Sequence, residues 1–103
     1  MINKKRVLIY GTGETSKQLF DYFKPEIYEI LAYIDSDETK EYQKFNGHII
    51  LSPDKIKYLE YDRIIIASRY KEEIHDTLLK NRVLKEKIWD MYDLLEESIK
   101  FNN

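Results

Sequence analysis

The chain has 103 residues, 43% of them hydrophobic and 14% aromatic, with three glycines and two prolines; this suits one packed domain and excludes a disordered or fibrous chain. Seventeen Lys and Arg against nineteen Asp and Glu leave a formal charge of −2, which excludes the strongly basic balance of a dedicated nucleic-acid binder. With no cysteine there is no disulfide scaffold, cysteine-ligated zinc or thiol nucleophile, and no apolar run approaches the roughly 20 residues of a membrane span.

Met1-Ile2-Asn3-Lys4-Lys5-Arg6 carries no signal-peptide pattern and leads into a strand, so a soluble, cytoplasmic domain over 1–103 is expected. Val7-Leu8-Ile9-Tyr10 is a continuous apolar run that stops at Gly11, the pattern of a strand buried on both faces of a parallel sheet. Over 14–23 the spacing turns helical, with Ser16, Leu19, Phe20 and Phe23 on one face. Lys24-Pro25 ends that helix, because the residue before a proline is pushed out of helical geometry. A second apolar run over 30–34 closes at Asp35-Ser36-Asp37, and 35–47 read as a polar connection.

A short third strand follows at 48–51. Ser52-Pro53-Asp54 signals a brief helix to about Glu60, with Ser52 as its cap and proline in the first turn. The β-branched run over 63–67 is a fourth strand, and 71–81 is a helix burying Ile74, Leu78 and Leu79. Lys87-Ile88-Trp89 is a fifth strand, and 91–100 a last helix turning Leu94, Leu95 and Ile99 inward. The order β-α-β-β-α-β-α-β-α predicts a three-layer α/β fold: an open, mostly parallel five-stranded sheet, order 3-2-1-4-5, covered on both faces.

Gly11-Thr12-Gly13-Glu14-Thr15-Ser16 sits where the first strand meets the first helix. Gly11 allows the tight turn, and Gly13, lacking a Cβ, lets a phosphate approach the backbone amides at the helix start. Ser16 takes the third position of the G-x-G-x-x-G spacing, where a small residue lets helix and sheet pack closely. Asp35 ends the second strand 22 residues beyond Gly13, close to where a dinucleotide fingerprint places an acid for the ribose hydroxyls. Glu14 stands against this, since its carboxylate repels a pyrophosphate at the helix start even though the dipole favours it there. Ala67, Ser68 and Arg69 follow the fourth strand, beside the first in the expected order, where such sheets bind ligands. Ser68 is either a phosphate or sugar donor or the cap of the next helix. Arg69 is either a phosphate partner or a solvated side chain.

Other signals weigh less. His48 and His75 lie 27 residues apart without an acid at metal-ligand spacing, so no metal is expected. Nine tyrosines are many for this length; Tyr42, Tyr58, Tyr61 and Tyr70 are candidates for exposure. No catalytic constellation emerges from the spacing.

The segments Val7-Leu8-Ile9-Tyr10-Gly11-Thr12-Gly13-Glu14, Ala32-Tyr33-Ile34-Asp35-Ser36-Asp37, Gly47-His48-Ile49-Ile50-Leu51-Ser52-Pro53 and Tyr61-Asp62-Arg63-Ile64-Ile65-Ile66-Ala67-Ser68 together resemble a known family. It is the small Rossmann-like domain of bacterial surface-polysaccharide proteins, associated with nucleotide-sugar epimerases/dehydratases, amino-sugar acetyltransferases and FkbM-type methyltransferases. The resemblance runs over roughly residues 5–92. It implies a nucleotide or nucleotide-sugar pocket lined by Gly11, Thr12 and Gly13, by Asp35 and Ser36, and by Ala67 and Ser68. Ser16 departs from the usual third glycine, and 103 residues are not expected to hold the catalytic partner domain as well.

The leading expectation is therefore a binding domain for a nucleotide or nucleotide-sugar in polysaccharide metabolism, without catalysis of its own and serving a catalytic domain or subunit. Its site residues are Gly11, Thr12, Gly13, Glu14, Thr15, Asp35, Ser36, Ala67, Ser68 and Arg69. An NAD-binding fragment of a sugar-nucleotide epimerase/dehydratase or other oxidoreductase is the alternative, and a ligand-free protein-interaction module a third. No nucleic acid or membrane insertion is expected, and free sheet edges leave room for a homodimer.

Overall fold

Runs of β-branched and aliphatic residues too short for helices form the strands, and segments with apolar residues every three or four positions form the helices. In this computed structural model, which describes residues 3–101, the order is β1 (Lys5–Tyr10), α1 (Glu14–Leu19), β2 (Tyr28–Ile34), β3 (Lys44–Phe45), β4 (His48–Leu51), β5 (Arg63–Ile66), α2 (Lys71–Lys80), β6 (Ile88–Trp89) and α3 (Met91–Phe101). Met1 and Ile2 of the expected strand entrance, and Asn102 and Asn103 of the expected 1–103 span, lie outside the described residues.

The strands form one six-stranded sheet in the order β3-β4-β2-β1-β5-β6, parallel except for β3 against β4. Without β3 this is the expected 3-2-1-4-5 arrangement. The sixth strand arises inside the segment expected to be a polar connection. Asn46 and Gly47 both have positive φ (51° and 79°) and close a two-residue hairpin that pairs Lys44 with Ile49 and Phe45 with His48. Phe45 then packs edge-on against Tyr33, ring centroids 4.8 Å apart.

Two apolar cores fill the space above and below the sheet. Val7, Ile9, Tyr33 and Ile65 face Leu19 of α1 and Leu94 of α3. Leu8, Ile34, Ile64 and Ile66 face Ile74 and Leu78 of α2 and Ile56 of a 3-10 segment, Pro53–Tyr58. Burying an aliphatic side chain of this kind contributes about 1.5–3 kcal/mol, so consecutive strand residues all add to stability.

A bulge reconciles β2 with both layers. Val7 pairs with Ile30 but Leu8 pairs with Ala32, so Leu31 is an extra residue. Before it, Tyr28 and Ile30 face the α1/α3 core; after it, Tyr33 does, while Ala32 and Ile34 face the other.

Four local expectations are corrected. Helix α1 stops at Leu19 rather than residue 23, because Phe20, Asp21 and Tyr22 donate to carbonyls three residues back and tighten the chain into turns. Phe20 is left 40% exposed. The helix after Ser52 is 3-10, and the Ser52 hydroxyl caps no backbone amide; it bonds the carboxylates of Glu41 and Asp54. In α3 only Leu94 of the three expected residues is buried. Ser98 is buried beside it, its hydroxyl donating to the Leu94 and Tyr22 carbonyls, so the stripe 91, 94, 98 meets the sheet and Leu95 and Ile99 rotate outward. On α2, Leu79 is likewise exposed.

Candidate functional site

The carboxyl ends of β1, β2 and β5 open into a cleft of about 620 Å³, within the range of small-molecule sites. Its near wall is the turn after β1: Gly11, Thr12, Gly13, Glu14 and Thr15. Asp35 and Ser36 from the end of β2 and Ala67, Ser68 and Arg69 from the end of β5 supply two more sides. Every expected site residue thus lines one cleft. The far wall was not anticipated: Tyr70, Glu73, Ile74 and Thr77, a one-sided stripe of α2 and its cap. Their spacing of three, four and seven, just after the fourth strand, was the available signal.

The two glycines of the turn answer to different constraints. Gly11 has φ +120°, and its N–H donates to the Ile34 carbonyl at 2.8 Å. A Cβ there would stand 2.5 Å from the carbonyl oxygen of Ala67, so glycine is required for β1 and β5 to leave the sheet side by side. Gly13, by contrast, has φ −109° and ψ −158°, open to any residue, and a Cβ would meet nothing within 4 Å. The chain itself makes no demand for glycine at 13. Gly13 occupies the cap position of α1 with no side-chain cap, so the first-turn amides of the helix are not satisfied by a capping group.

Asp35 is held in place from two sides. Its Oδ2 accepts from the Thr12 hydroxyl at 2.6 Å, and its Oδ1 from the Asp37 amide at 2.8 Å. Lys40 Nζ donates to Thr12 Oγ1 at 3.1 Å and lies 3.8 Å from Asp35 Oδ2. This lysine brings a positive charge to the glycine turn, and nothing in the sequence spacing pointed to it, since it arrives on a 3-10 turn (Glu38–Lys40). A carboxylate has about four acceptor positions, so Asp35 retains capacity toward the cleft. The Tyr10 hydroxyl shares a hydrogen bond with Ser36 Oγ, and burial above all raises its pKa.

The conflict posed by Glu14 is eased but not removed. Its carboxylate is exposed and pairs with Lys17 one turn on, at 3.3 Å. Ser68 Oγ accepts from the Tyr70 amide at 3.1 Å, while Tyr70 itself holds the cap position of α2, so Ser68 shapes the approach to the helix rather than capping it. The Arg69 guanidinium lies 5.3 Å over the exposed Tyr70 ring, and together they form a cationic, aromatic lip. His48 and His75 are in different elements, and among the described residues no group of three or more His, Asp or Glu side chains converges as a metal site would need. No described helix is long and apolar enough to cross a membrane.

Solved structures place the fold among Rossmann-like domains. A UDP-D-quinovosamine 4-dehydrogenase from Vibrio fischeri aligns with 29% identity and a TM-score of 0.59, over 79% of this chain and 75% of that one. RSP, a Rex-family repressor, aligns in its complex with β-NAD+ and operator DNA at 11% identity and a TM-score of 0.61, over 96% of this chain and 57% of that one. The same repressor with β-NADH aligns at 10% identity and a TM-score of 0.60, over 96% of this chain and 60% of that one. No curated protein sequence matches the chain. A family model matches residues 3–89, and the chain belongs to that family: C2185-like, N-terminal.

Proposed function

We propose that this C2185-like N-terminal chain is a binding domain for a nucleotide, foremost a nucleotide-sugar, seated in the cleft at the glycine turn. One observation carries the reading: Gly13 faces the cleft in a backbone conformation open to any residue, with empty space where a Cβ would stand. A glycine the fold does not need is accounted for by a group that approaches from outside, and a phosphate at backbone amides is such a group. Asp35, steadied by Thr12 and Lys40, takes the ribose hydroxyls, and Ser68 and Arg69 face the remainder of the ligand. The UDP-sugar substrate named for the Vibrio fischeri neighbour supports the nucleotide-sugar reading. The place in bacterial polysaccharide metabolism, with chemistry supplied by a partner domain or subunit, rests on the resemblance of the glycine-turn and strand-end segments. NAD is the second reading, favoured by the nicotinamide dinucleotides bound in the repressor structures.

A thermal-shift series with UDP, UDP-N-acetylglucosamine, NAD, NADP, CoA and ATP tests it. A ligand at 100 times its Kd should stabilise the protein by about 2.7 kcal/mol, and Gly13→Val should abolish the shift while the variant stays folded. A shift confined to NAD promotes the second reading. Silence from every nucleotide, or a shift that survives Gly13→Val, sinks the site.

A further inference from the structure

A second cleft, of about 680 Å³, shares no residue with the first. It lies between the 3-10 segment Pro53–Tyr58, the approach to β5 and the C-terminal end of α2. Its charged lining is entirely cationic: Lys57, Lys80, Arg82 and Lys87, with Leu59 and Tyr61 among its apolar walls. Lys87 Nζ donates to the Tyr61 carbonyl at 3.2 Å and lies 4.7 Å over the Tyr61 ring, while Lys57, Lys80 and Arg82 are exposed. Among the described residues none of these four has a carboxylate within ion-pair distance, as is also true of Lys4, Lys44, Arg63, Arg69, Lys85 and Lys100. Lys57 lies 5.2 Å over the Tyr58 ring and, behind the Ser52 hydroxyl bond, helps hold the Asp54 carboxyl below its ordinary range. The chain carries more acids than bases, so grouping four cations and no acid around one hollow runs against the charge balance.

The turn that delivers Arg82 is an independent sign. After the cap residue Asn81, Arg82 N–H donates to the Leu79 carbonyl and Val83 N–H to the Leu78 carbonyl, both at 3.0 Å, which is a Schellman turn. Arg82 holds its left-handed position at φ +63°, where glycine is preferred and another side chain costs on the order of 1 kcal/mol relative to it. The chain therefore keeps an arginine at the one position of this turn where glycine is more stable, and that arginine lines the cleft. The dipole at the end of α2 amounts to only about half a negative charge, too little to call for four cations.

We infer that this cleft binds a phosphorylated small molecule carrying two or more negative charges. Lys57, Lys80, Arg82 and Lys87 bracket the phosphate oxygens, and Leu59 and Tyr61 receive the less polar part. The inference is independent of the nucleotide reading, because the two sites have no residue in common. Calorimetric titration of the full chain with tripolyphosphate at constant ionic strength tests it. With the first cleft closed by Gly13→Val the chain should still bind, and Arg82→Gly or Lys80→Gln added to that variant should each weaken the remaining binding by about tenfold. Arg82→Gly should at the same time raise the melting temperature, separating lost binding from lost folding. Wild type without binding, or affinity retained in both cleft variants, overturns the inference. Loss of binding in Gly13→Val would move the anion to the first cleft. Binding of a hexaglutamate peptide without binding of tripolyphosphate would replace the ligand class by an acidic protein segment.

Discussion

Gly11→Ala would bring a Cβ to 2.5 Å from the Ala67 carbonyl and hold an alanine at φ +120°. The backbone of two adjacent strands must then separate, and the protein should lose about 2–4 kcal/mol in a urea titration. Gly13→Ala, in open space at an ordinary φ, should cost no more than about 1 kcal/mol, the preference of the cap position for glycine over alanine. Equal losses at the two positions would mean that Gly13 is also a folding requirement, and the argument for an outside group would fall. Spacing alone marked both glycines as one motif. Only the tertiary approach of Ala67 separates the one that serves the chain from the one that serves the cleft.

The element scale shows where periodicity ran out. In α3 the sequence offers Leu94, Leu95 and Ile99 as equally good inward residues, since all lie within about one helical face. The Ser98 hydroxyl bond to the Tyr22 carbonyl and the burial of Leu94 select the stripe. Leu94→Ala should therefore cost about 2–5 kcal/mol, against less than about 1 kcal/mol for Leu95→Ala or Ile99→Ala, as read from chemical denaturation midpoints. A comparable loss at Ile99 would show the helix docked in another rotation. The β3–β4 hairpin is a different case. Asn46-Gly47 is a strong hairpin signal in its own right, but strands as short as two residues leave no alternation to notice beside it. The end of α1 was hidden for a third reason: the apolar spacing continues through Phe20 and Phe23 although the hydrogen bonds change to turns.

At the scale of the whole molecule, ties across the sheet carry a pH dependence. The Arg6 backbone N–H donates to Asp62 Oδ2 at 2.7 Å, and this bond, assisted by the Arg6 charge, holds the Asp62 carboxyl below its ordinary range. Glu41 is held low in the same way by the hydroxyl and amide of Ser52. A carboxyl with a folded pKa below its unfolded value, about 4, adds stability above that pH, which is lost as pH falls toward the folded value. The protein should thus weaken on acidification below about pH 4, and Asp62→Asn should flatten that limb in urea midpoints taken from neutral pH downward. An unchanged slope in the variant would remove Asp62 from the account. The layered α/β plan, the order of the five main strands and the glycine turn at the end of β1 were legible in the residues alone. Those follow from local rules: apolar runs that must be buried on both faces, glycine at a strand end, and right-handed crossovers. The tertiary structure decided what depends on residues distant in the chain: the α2 wall of the cleft, Lys40 beside Asp35, the bulge at Leu31 and the basic hollow at the end of α2. Each of these is set by which surfaces meet once the sheet is assembled, and contact between remote segments leaves no period in the sequence.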